Sequence, residues 1–295
     1  MKSVFTRVLF LCFSVIIVIF IYNLLTDANQ ENNLFNNLFE GEYASKYIYV
    51  YDRESEDVFY EKAANKKIYP ASLVKMMTVL VALEEIDDLG AIAPIDKTSY
   101  HKLFAENASM AGFVSGENVT YRDLLYGTML ASGGEAANSL AIHVAGGTDA
   151  FVGLMNEKAA EIGLKKTVYT NVEGLHDVNQ VTTAADQARL LDYALDNGDF
   201  KAIFTKRTFT TTQTVDHPDG IRLASTVLSQ LPEDTYVTGG KSGTTKESGA
   251  SWITTADVGG KSYILVVMGA PLKDLKNNEM KQKHDTLKLI NQLDN

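Results

Sequence analysis

The sequence predicts an α+β domain in which strands from both ends of the chain share one antiparallel sheet around a largely helical middle. Runs rich in Tyr, Ile and Val occur early, at 47–51 and 58–60, and β-rich runs return after residue 206. Apolar and amphipathic segments of helical length lie between them. Strands at both ends with helices between them favour this class over alternating βαβ units.

The composition fits a globular protein with a sizeable core. The chain has 295 residues, of which 45% are hydrophobic, and its formal net charge is −10. This charge argues against nucleic acid and anionic membrane surfaces as electrostatic partners. Cys12 is the single cysteine, so the chain beyond it has no disulfide, cysteine nucleophile or thiolate metal site.

Residues 1–25 are predicted to insert into a membrane. Lys2 and Arg7 precede an apolar run at 8–22, and basic residues in this position keep the N-terminus in the cytoplasm and send the rest outside. A cleaved signal peptide is the alternative, although 24–28 lack a small-x-small cleavage pattern. The expected location is the cell membrane with an extracytoplasmic domain, or secretion if the segment is cleaved.

The remaining elements follow in order along the chain. An Asn-rich, acidic tether is predicted at 26–42, and the domain at 43–295 begins with a hairpin around the polar residues 52–57. After a helix that starts near Pro70, the chain breaks at 90–94. Helices are then predicted at 120–130, 136–144, 149–162 and 182–195, strands at 206–215, 238–243, 252–255 and 263–268, and a final helix at 279–293.

Ser72 and Lys75 are the first candidates for chemistry. They stand three residues apart at the start of a helix that is apolar on nearly every face, so they share one side of it. A serine needs a base to become a nucleophile, and burial would favour the neutral amine that can serve as one. Ser99 and Lys102 have the same spacing, but they lie in a polar stretch that is predicted to be a loop.

Two further segments offer groups that suit acyl transfer. Lys241 lies in a glycine-flanked segment, 238–245, that is predicted to be a strand. Its positive charge and the neighbouring hydroxyls could bind the anionic end of a peptide, and an unblocked backbone N–H could bind an oxyanion. Ser132 precedes another apolar helix; it is either the N-cap, with Glu135 completing a capping box, or a second serine that relays a proton to a leaving amine.

Together, these segments resemble the motifs of the penicillin-recognising serine enzymes, which are Ser-x-x-Lys, Ser-x-Asn and Lys-Thr/Ser-Gly in this order. Among them the chain is most similar to the low-molecular-mass D-alanyl-D-alanine carboxypeptidases, over roughly residues 47–271. Further support comes from the segments around the motifs, which are Tyr69–Thr78, Asp123–Gly127 and Thr170–His176. The resemblance implies a β-lactamase/transpeptidase-like fold.

The resemblance also implies a role for each matching residue. Ser72 would be the acyl-ester nucleophile, Lys75 its general base and Ser132 the proton relay. The substrate carboxylate would be held by Lys241 and Ser242, and the oxyanion by the backbone N–H groups of Ser72 and Thr244. The implied substrate is a peptidoglycan stem peptide ending in D-Ala-D-Ala, with β-lactams as covalent inhibitors and no cofactor.

The middle motif departs from the family pattern. Gly134 stands where the family usually has Asn, whose carboxamide bridges the base lysine and the substrate backbone; Asn138, one helical turn later, is the nearest substitute. Two other functions stay open, a serine β-lactamase and a non-catalytic penicillin- or peptidoglycan-binding protein, of which only the second is supported by Gly134. β-Lactamases of this kind carry a Glu-x-x-x-Asn pattern for deacylation. Glu173 does not complete it, since no asparagine follows four residues later. The five histidines are scattered without zinc-binding spacing, so no metal site is expected.

Overall fold

A five-stranded antiparallel sheet joins the two ends of the domain. The computed structural model describes residues 42–273 and 280–294. Its strands are β1 (Tyr47–Asp52), β2 (Val58–Lys62), β3 (Thr208–Thr210), β4 (Arg222–Ala224), β5 (Val237–Thr245), β6 (Gly249–Val258) and β7 (Lys261–Ala270). The central sheet has the order β2-β1-β7-β6-β5, and β3 pairs with β4 separately. Because β1 lies beside β7, with Tyr47 opposite Met268, the predicted α+β fold is confirmed.

Helices cover the sheet and build the middle of the chain. They are α1 (Val74–Glu85), α2 (Lys97–Ala105), α3 (Tyr121–Met129), α4 (Gly134–Ala145), α5 (Thr148–Ile162), α6 (Ala184–Ala194), α7 (Gly198–Phe204) and α8 (Lys281–Leu293). Strand β7 is buried along 263–270, because α6 and α8 both pack on it and the sheet has no open face there. Helix α1 packs against α3, α4 and α5 and is buried from Val74 to Ala82.

Local sequence signals explain where the helices begin and end. Thr120 caps α3 through a reciprocal capping box with Asp123. Gly163 ends α5 with φ of 81°, a left-handed conformation that glycine adopts without a steric penalty. Asn197 caps the short helix α7, which the sequence analysis did not predict.

Two sequence predictions are wrong. The stretch around Ser99 and Lys102 forms helix α2 rather than a loop, since the Asp96 side chain accepts the Ser99 N–H at 2.7 Å and caps it. The strand predicted at 206–215 shrinks to β3, because Thr212 donates its N–H to the Asp123 side chain instead of to a neighbouring strand.

The predicted membrane segment, 1–25, and the tether up to residue 41 lie outside the described residues. Within 42–273 and 280–294, none of the helices has the length and apolar character needed to cross a bilayer. The described chain from Tyr43 onward forms one compact unit that contains the whole sheet and the candidate active site.

Candidate active site

Ser72 and Lys75 lie where the sheet meets the buried helix α1. Pro70 precedes a 3₁₀ turn, Ala71–Leu73, that runs directly into α1, so Ser72 stands just before the α-helix and not inside it. Lys75 Nζ lies 3.3 Å from Ser72 Oγ. Lys75 is buried at 2% exposure, whereas Ser72 stays partly open to solvent, as a nucleophile must be.

The backbone before Ser72 is held in an unusual conformation. Ala71 has φ of 49°, in the left-handed region that costs a non-glycine residue about 1–2 kcal/mol. Gly174 approaches it so closely that a Cβ on this glycine would lie 2.2 Å from the Ala71 carbonyl oxygen. Thr78 Oγ1 donates a 2.7 Å hydrogen bond to the Val172 carbonyl and ties the same segment to α1. The segment 172–174 thus braces the turn that carries Ser72.

Lys75 has a second acceptor in this bracing segment, the backbone carbonyl of Glu173. The Glu173 carboxylate is directed elsewhere, since its Oε2 accepts the Val172 N–H at 3.2 Å. Sequence reasoning assigned Lys75 no such partner. Residue types cannot predict this contact, because any residue has a main-chain carbonyl. The only local signal is Gly174, a glycine at the point where this segment comes close to the turn that carries Ser72.

Lys241 and Ser132 form the other half of the site. Lys241, on the edge strand β5, is fully buried, and its Nζ donates to Ser132 Oγ at 2.9 Å and to the Ser242 carbonyl at 2.8 Å. Of the two roles left open for Ser132, the N-cap does not apply, because Gly133 takes that position and Ser132 has φ of 60°. Its hydroxyl is therefore directed at Lys241 instead of at the start of α4.

Close packing brings the two halves together. A Cβ on Gly243 would lie 3.0 Å from the Pro70 carbonyl and 3.2 Å from the Leu73 N, so only glycine lets β5 approach the 3₁₀ turn. Ser242 Oγ donates to Thr226 Oγ1 at 2.7 Å. Thr244, two residues further along β5, is exposed. The structure thus gathers Ser72, Lys75, Ser132 and Lys241, with Ser242 and Thr244 on the adjoining strand edge.

Burial sets the protonation of both lysines. It lowers the pKa of Lys75 to about 8, against the negative charges of Glu173 and Glu135, which raise it. Burial lowers the pKa of Lys241 well below its ordinary value, and the nearby charge of Lys75 lowers it further. An amine that is partly neutral near pH 8 can accept a proton from Ser72, which an ordinary surface lysine cannot.

A loop packs against Gly134 in the first turn of α4, in the space that an asparagine side chain at this position would need. A Cβ on Gly134 would lie 3.3 Å from the Ser109 carbonyl and 3.5 Å from both Ala108 Cβ and Leu103 Cδ1. The Gly134 N–H also donates to the Ser109 carbonyl at 2.7 Å. The loop at 108–109 therefore lies directly against Gly134. Any other residue would place side-chain atoms in this contact.

Glu135 fastens the same loop from inside the protein. Its carboxylate is completely buried, and Oε1 accepts the N–H groups of Ala111 at 2.6 Å and Gly112 at 3.1 Å. Burial raises the pKa of Glu135. Asn138 is also buried, but within the described part of the chain its side chain forms no hydrogen bond with Lys75 or Lys241.

The histidines lie apart from one another. His217 Nδ1 is 2.8 Å from Glu117, and the ring of His176 meets that of Tyr69 edge-on at 4.6 Å. Within the residues that the structure describes, no group of three His, Cys, Asp or Glu side chains is placed to hold a metal ion.

Comparison with known proteins agrees with this geometry. Residues 35–272 match the family model of the D-alanyl-D-alanine carboxypeptidases. The D-alanyl-D-alanine carboxypeptidase DacC of Escherichia coli K12 is 32% identical over 237 residues, which are 77% of this chain and 57% of that protein. The D-alanyl-D-alanine carboxypeptidase of Streptomyces sp. strain K15 is 28% identical, over 75% of this chain and 79% of its own.

The solved structures share the fold. The crystal structure of the Streptomyces K15 DD-transpeptidase is similar with a TM-score of 0.76 and 26% identity, covering 86% of this chain and 98% of that one. The D-alanyl-D-alanine carboxypeptidase of Mycobacterium tuberculosis H37Rv has a TM-score of 0.75, also at 26% identity, over 85% and 91% of the two chains. The chain spans only 37% of DacF of Bacillus subtilis, to which it is 36% identical.

Proposed function

Since the chain belongs to the D-alanyl-D-alanine carboxypeptidase family, we propose that it is a serine peptidase that removes the terminal D-Ala from peptidoglycan stem peptides. The observation that carries this proposal is the meeting of the Ser72–Lys75 pair with the Ser132–Lys241 pair in one site. Because Lys75 has its pKa lowered to about 8, it can take up a proton that a surface lysine would not accept.

In the proposed acylation, neutral Lys75 accepts the Ser72 hydroxyl proton as Oγ attacks the carbonyl carbon of the penultimate D-Ala. The N–H groups of Ser72 and Thr244 stabilise the oxyanion. Protonated Lys75 passes its proton through Ser132 to the amine of the departing D-Ala, and the C–N bond breaks. An ester at Ser72 remains, and water hydrolyses it with Lys75 again as the base.

Lys241 and Ser242 are proposed to bind the carboxylate of the departing D-Ala. Lys241 already donates to Ser132, so it would place the relay serine and the substrate carboxylate beside each other. A carboxylate next to Lys241 favours the ammonium form and counteracts the effect of burial on its pKa. β-Lactams carry an equivalent carboxylate next to a reactive amide, so the same groups would accept them.

A serine β-lactamase is the second candidate, and the geometry around Glu173 gives it less support. Such an enzyme needs a carboxylate that activates water at the acyl-ester, whereas Glu173 offers Lys75 its backbone carbonyl and turns its carboxylate to the Val172 N–H. A non-catalytic binding protein is the third candidate, and its support is the missing carboxamide at Gly134.

Labelled penicillin separates these candidates. The full-length chain, purified in detergent, is expected to form a covalent adduct that Ser72→Ala abolishes. Release of D-Ala from a D-Ala-D-Ala peptide then distinguishes the enzyme from a binding protein, and rapid turnover of the label would indicate a β-lactamase. The absence of an adduct, or an adduct that persists in Ser72→Ala, would remove serine acylation altogether.

We propose in addition that the domain works outside the cytoplasm on a membrane anchor formed by residues 1–25. The support is the basic pair Lys2 and Arg7 before the apolar run at 8–22, together with a substrate class that lies outside the membrane. Membrane fractionation with protease added from the outside tests this. A protected or cytosolic domain would contradict the proposal, and an N-terminus after residue 25 in the mature protein would indicate a cleaved signal.

A further inference from the structure

A cavity of about 590 Å³ lies beside the turn that joins β5 to β6. Its lining includes three lysines and one acid, which are Lys46, Lys246, Lys273 and Glu247. The chain as a whole carries a net charge of −10, so an excess of positive charge here reverses the overall trend. A concave surface with excess positive charge attracts anions.

Two segments of the chain connect the lining of the cavity with the proposed active site. Lys246 follows Thr244 by two residues, and Ile68, which also lines the cavity, comes four residues before Ser72. The turn is rigid, because Thr245 and Ser248 exchange hydrogen bonds between N–H and hydroxyl at 3.0 Å in both directions. These bonds hold the backbone of the turn, from which the exposed Lys246 side chain projects.

The order of groups along β5 defines the direction of a bound peptide, if the proposed function holds. The terminal carboxylate lies at Lys241 and Ser242, and the scissile carbonyl lies at Thr244. The acyl part of the substrate must then continue past Thr244 toward Lys246. Lys246 lies in the turn that directly follows β5, two residues beyond Thr244, so a peptide that runs along β5 past Thr244 would reach it about two residues before the acylated position.

We propose that this cavity is a subsite for a carboxylate that the donor peptide carries about two residues before the D-Ala that becomes acylated. The recognised chemistry is an acidic side chain or a free α-carboxylate on the peptide, held by Lys46 and Lys246. This inference rests on the proposed function, because it uses the peptide direction that the assigned roles define.

Another cavity, of about 550 Å³, serves as a comparison. Three basic and three acidic residues among its lining balance in charge, namely Lys165, Lys166, Arg189, Glu56, Asp186 and Asp192. It therefore lacks the excess of positive charge that marks the first cavity, and exposed Lys165 provides a control of equal charge.

Two peptides test the subsite, N-acetyl-Glu-Gly-D-Ala-D-Ala and its Gln counterpart. The full-length protein is expected to release D-Ala from the Glu peptide with the higher kcat/KM, and the preference should shrink as salt screens the charges. Lys46→Ala and Lys246→Ala should each reduce the Glu-to-Gln ratio by about 1.5- to 5-fold, as expected for exposed charge pairs, with little change for the Gln peptide.

Lys165→Ala removes the same charge at the other cavity and should leave the ratio unchanged. Equal rates on the two peptides in the unaltered protein, or a ratio that neither cavity variant changes, would overturn the subsite alone. An equal fall in Lys165→Ala would show that only the overall charge matters and would also overturn it. If neither peptide releases D-Ala, the proposed function fails, and the subsite fails with it.

Discussion

Lys241 Nζ donates a 2.9 Å hydrogen bond to Ser132 Oγ, which joins the edge strand β5 to the start of α4 across 109 residues of sequence. Both side chains are buried, and Ser132 holds a left-handed backbone conformation that turns its hydroxyl toward Lys241. The bond fixes the Ser132 hydroxyl in one orientation beside the buried lysine.

Ser132→Ala is expected to slow both penicillin acylation and D-Ala release by about 10²- to 10⁴-fold, the range for losing a proton-transfer group. Stopped-flow acylation and a D-Ala assay measure the effect. Ser139→Ala is the matched control: this buried serine lies on α4, which follows Ser132, and accepts the Asp96 N–H at 3.0 Å, so its loss should lower the Tm without slowing acylation. Equal rates in Ser132→Ala and the unaltered protein would contradict the relay.

The acylation rate is expected to rise with pH and to level off above an apparent pKa of about 8. Only neutral Lys75 can accept the Ser72 proton, and with its pKa lowered to about 8 only about a tenth of the lysine is neutral at pH 7. Labelling with penicillin between pH 6 and pH 9.5 measures this profile. A flat profile over that range would exclude Lys75 as the titrating base.

A neighbouring charge should move the profile in a defined direction. The Glu173 charge raises the pKa of Lys75, so Glu173→Gln should move the midpoint to lower pH. The backbone carbonyl that accepts from Lys75 is retained in this variant. Glu56→Gln is the control. It removes the same charge in the 550 Å³ cavity that Tyr49 and Tyr51 also line, and it should leave the midpoint unchanged. A midpoint that moves upward in Glu173→Gln would contradict the electrostatic assignment.

Gly174→Ala is expected to destabilise the protein and to abolish acylation. The added Cβ would lie 2.2 Å from the Ala71 carbonyl oxygen, so the turn that carries Ser72 must move. Gly163→Ala is the control, because its φ of 81° is nearly the same as the 85° of Gly174 but nothing lies within 4 Å of the new Cβ. It should cost about 1–2 kcal/mol of folding free energy and leave acylation intact. Similar Tm values for the two variants would contradict the close approach.

The α+β class and both lysine motifs could be read from the sequence, because strand and helix periodicity and short spacings are local signals. The partners of those motifs were not local. The contact of Lys75 with the Glu173 carbonyl depends on main-chain atoms, and the left-handed Ser132 overrides a capping pattern that the residue types favour. The loop that covers Gly134 leaves a similarly misleading signal. The residue types around Glu135 favour a capping box, whereas its buried carboxylate accepts the Ala111 N–H of the loop.

That loop makes the replacement of the family asparagine by glycine a structural feature of this site. The space beside Gly134 is bounded by the Ser109 carbonyl at 3.3 Å and by Ala108 and Leu103 at 3.5 Å. A Cβ built there would already be in contact with the loop. The loop itself cannot retreat easily, because buried Glu135 accepts two of its N–H groups.

Gly134→Asn, which restores the usual family residue, is therefore expected to leave penicillin acylation no faster and to lower the Tm. The new side chain must displace the 108–109 loop, whose backbone carbonyl and packed methyl group lie in its path. Gly153→Asn is the control, since nothing lies within 4 Å of a Cβ at that helical position and its Tm should change less. Acylation that accelerates in Gly134→Asn at an unchanged Tm would show that the loop yields and that the carboxamide reaches the site.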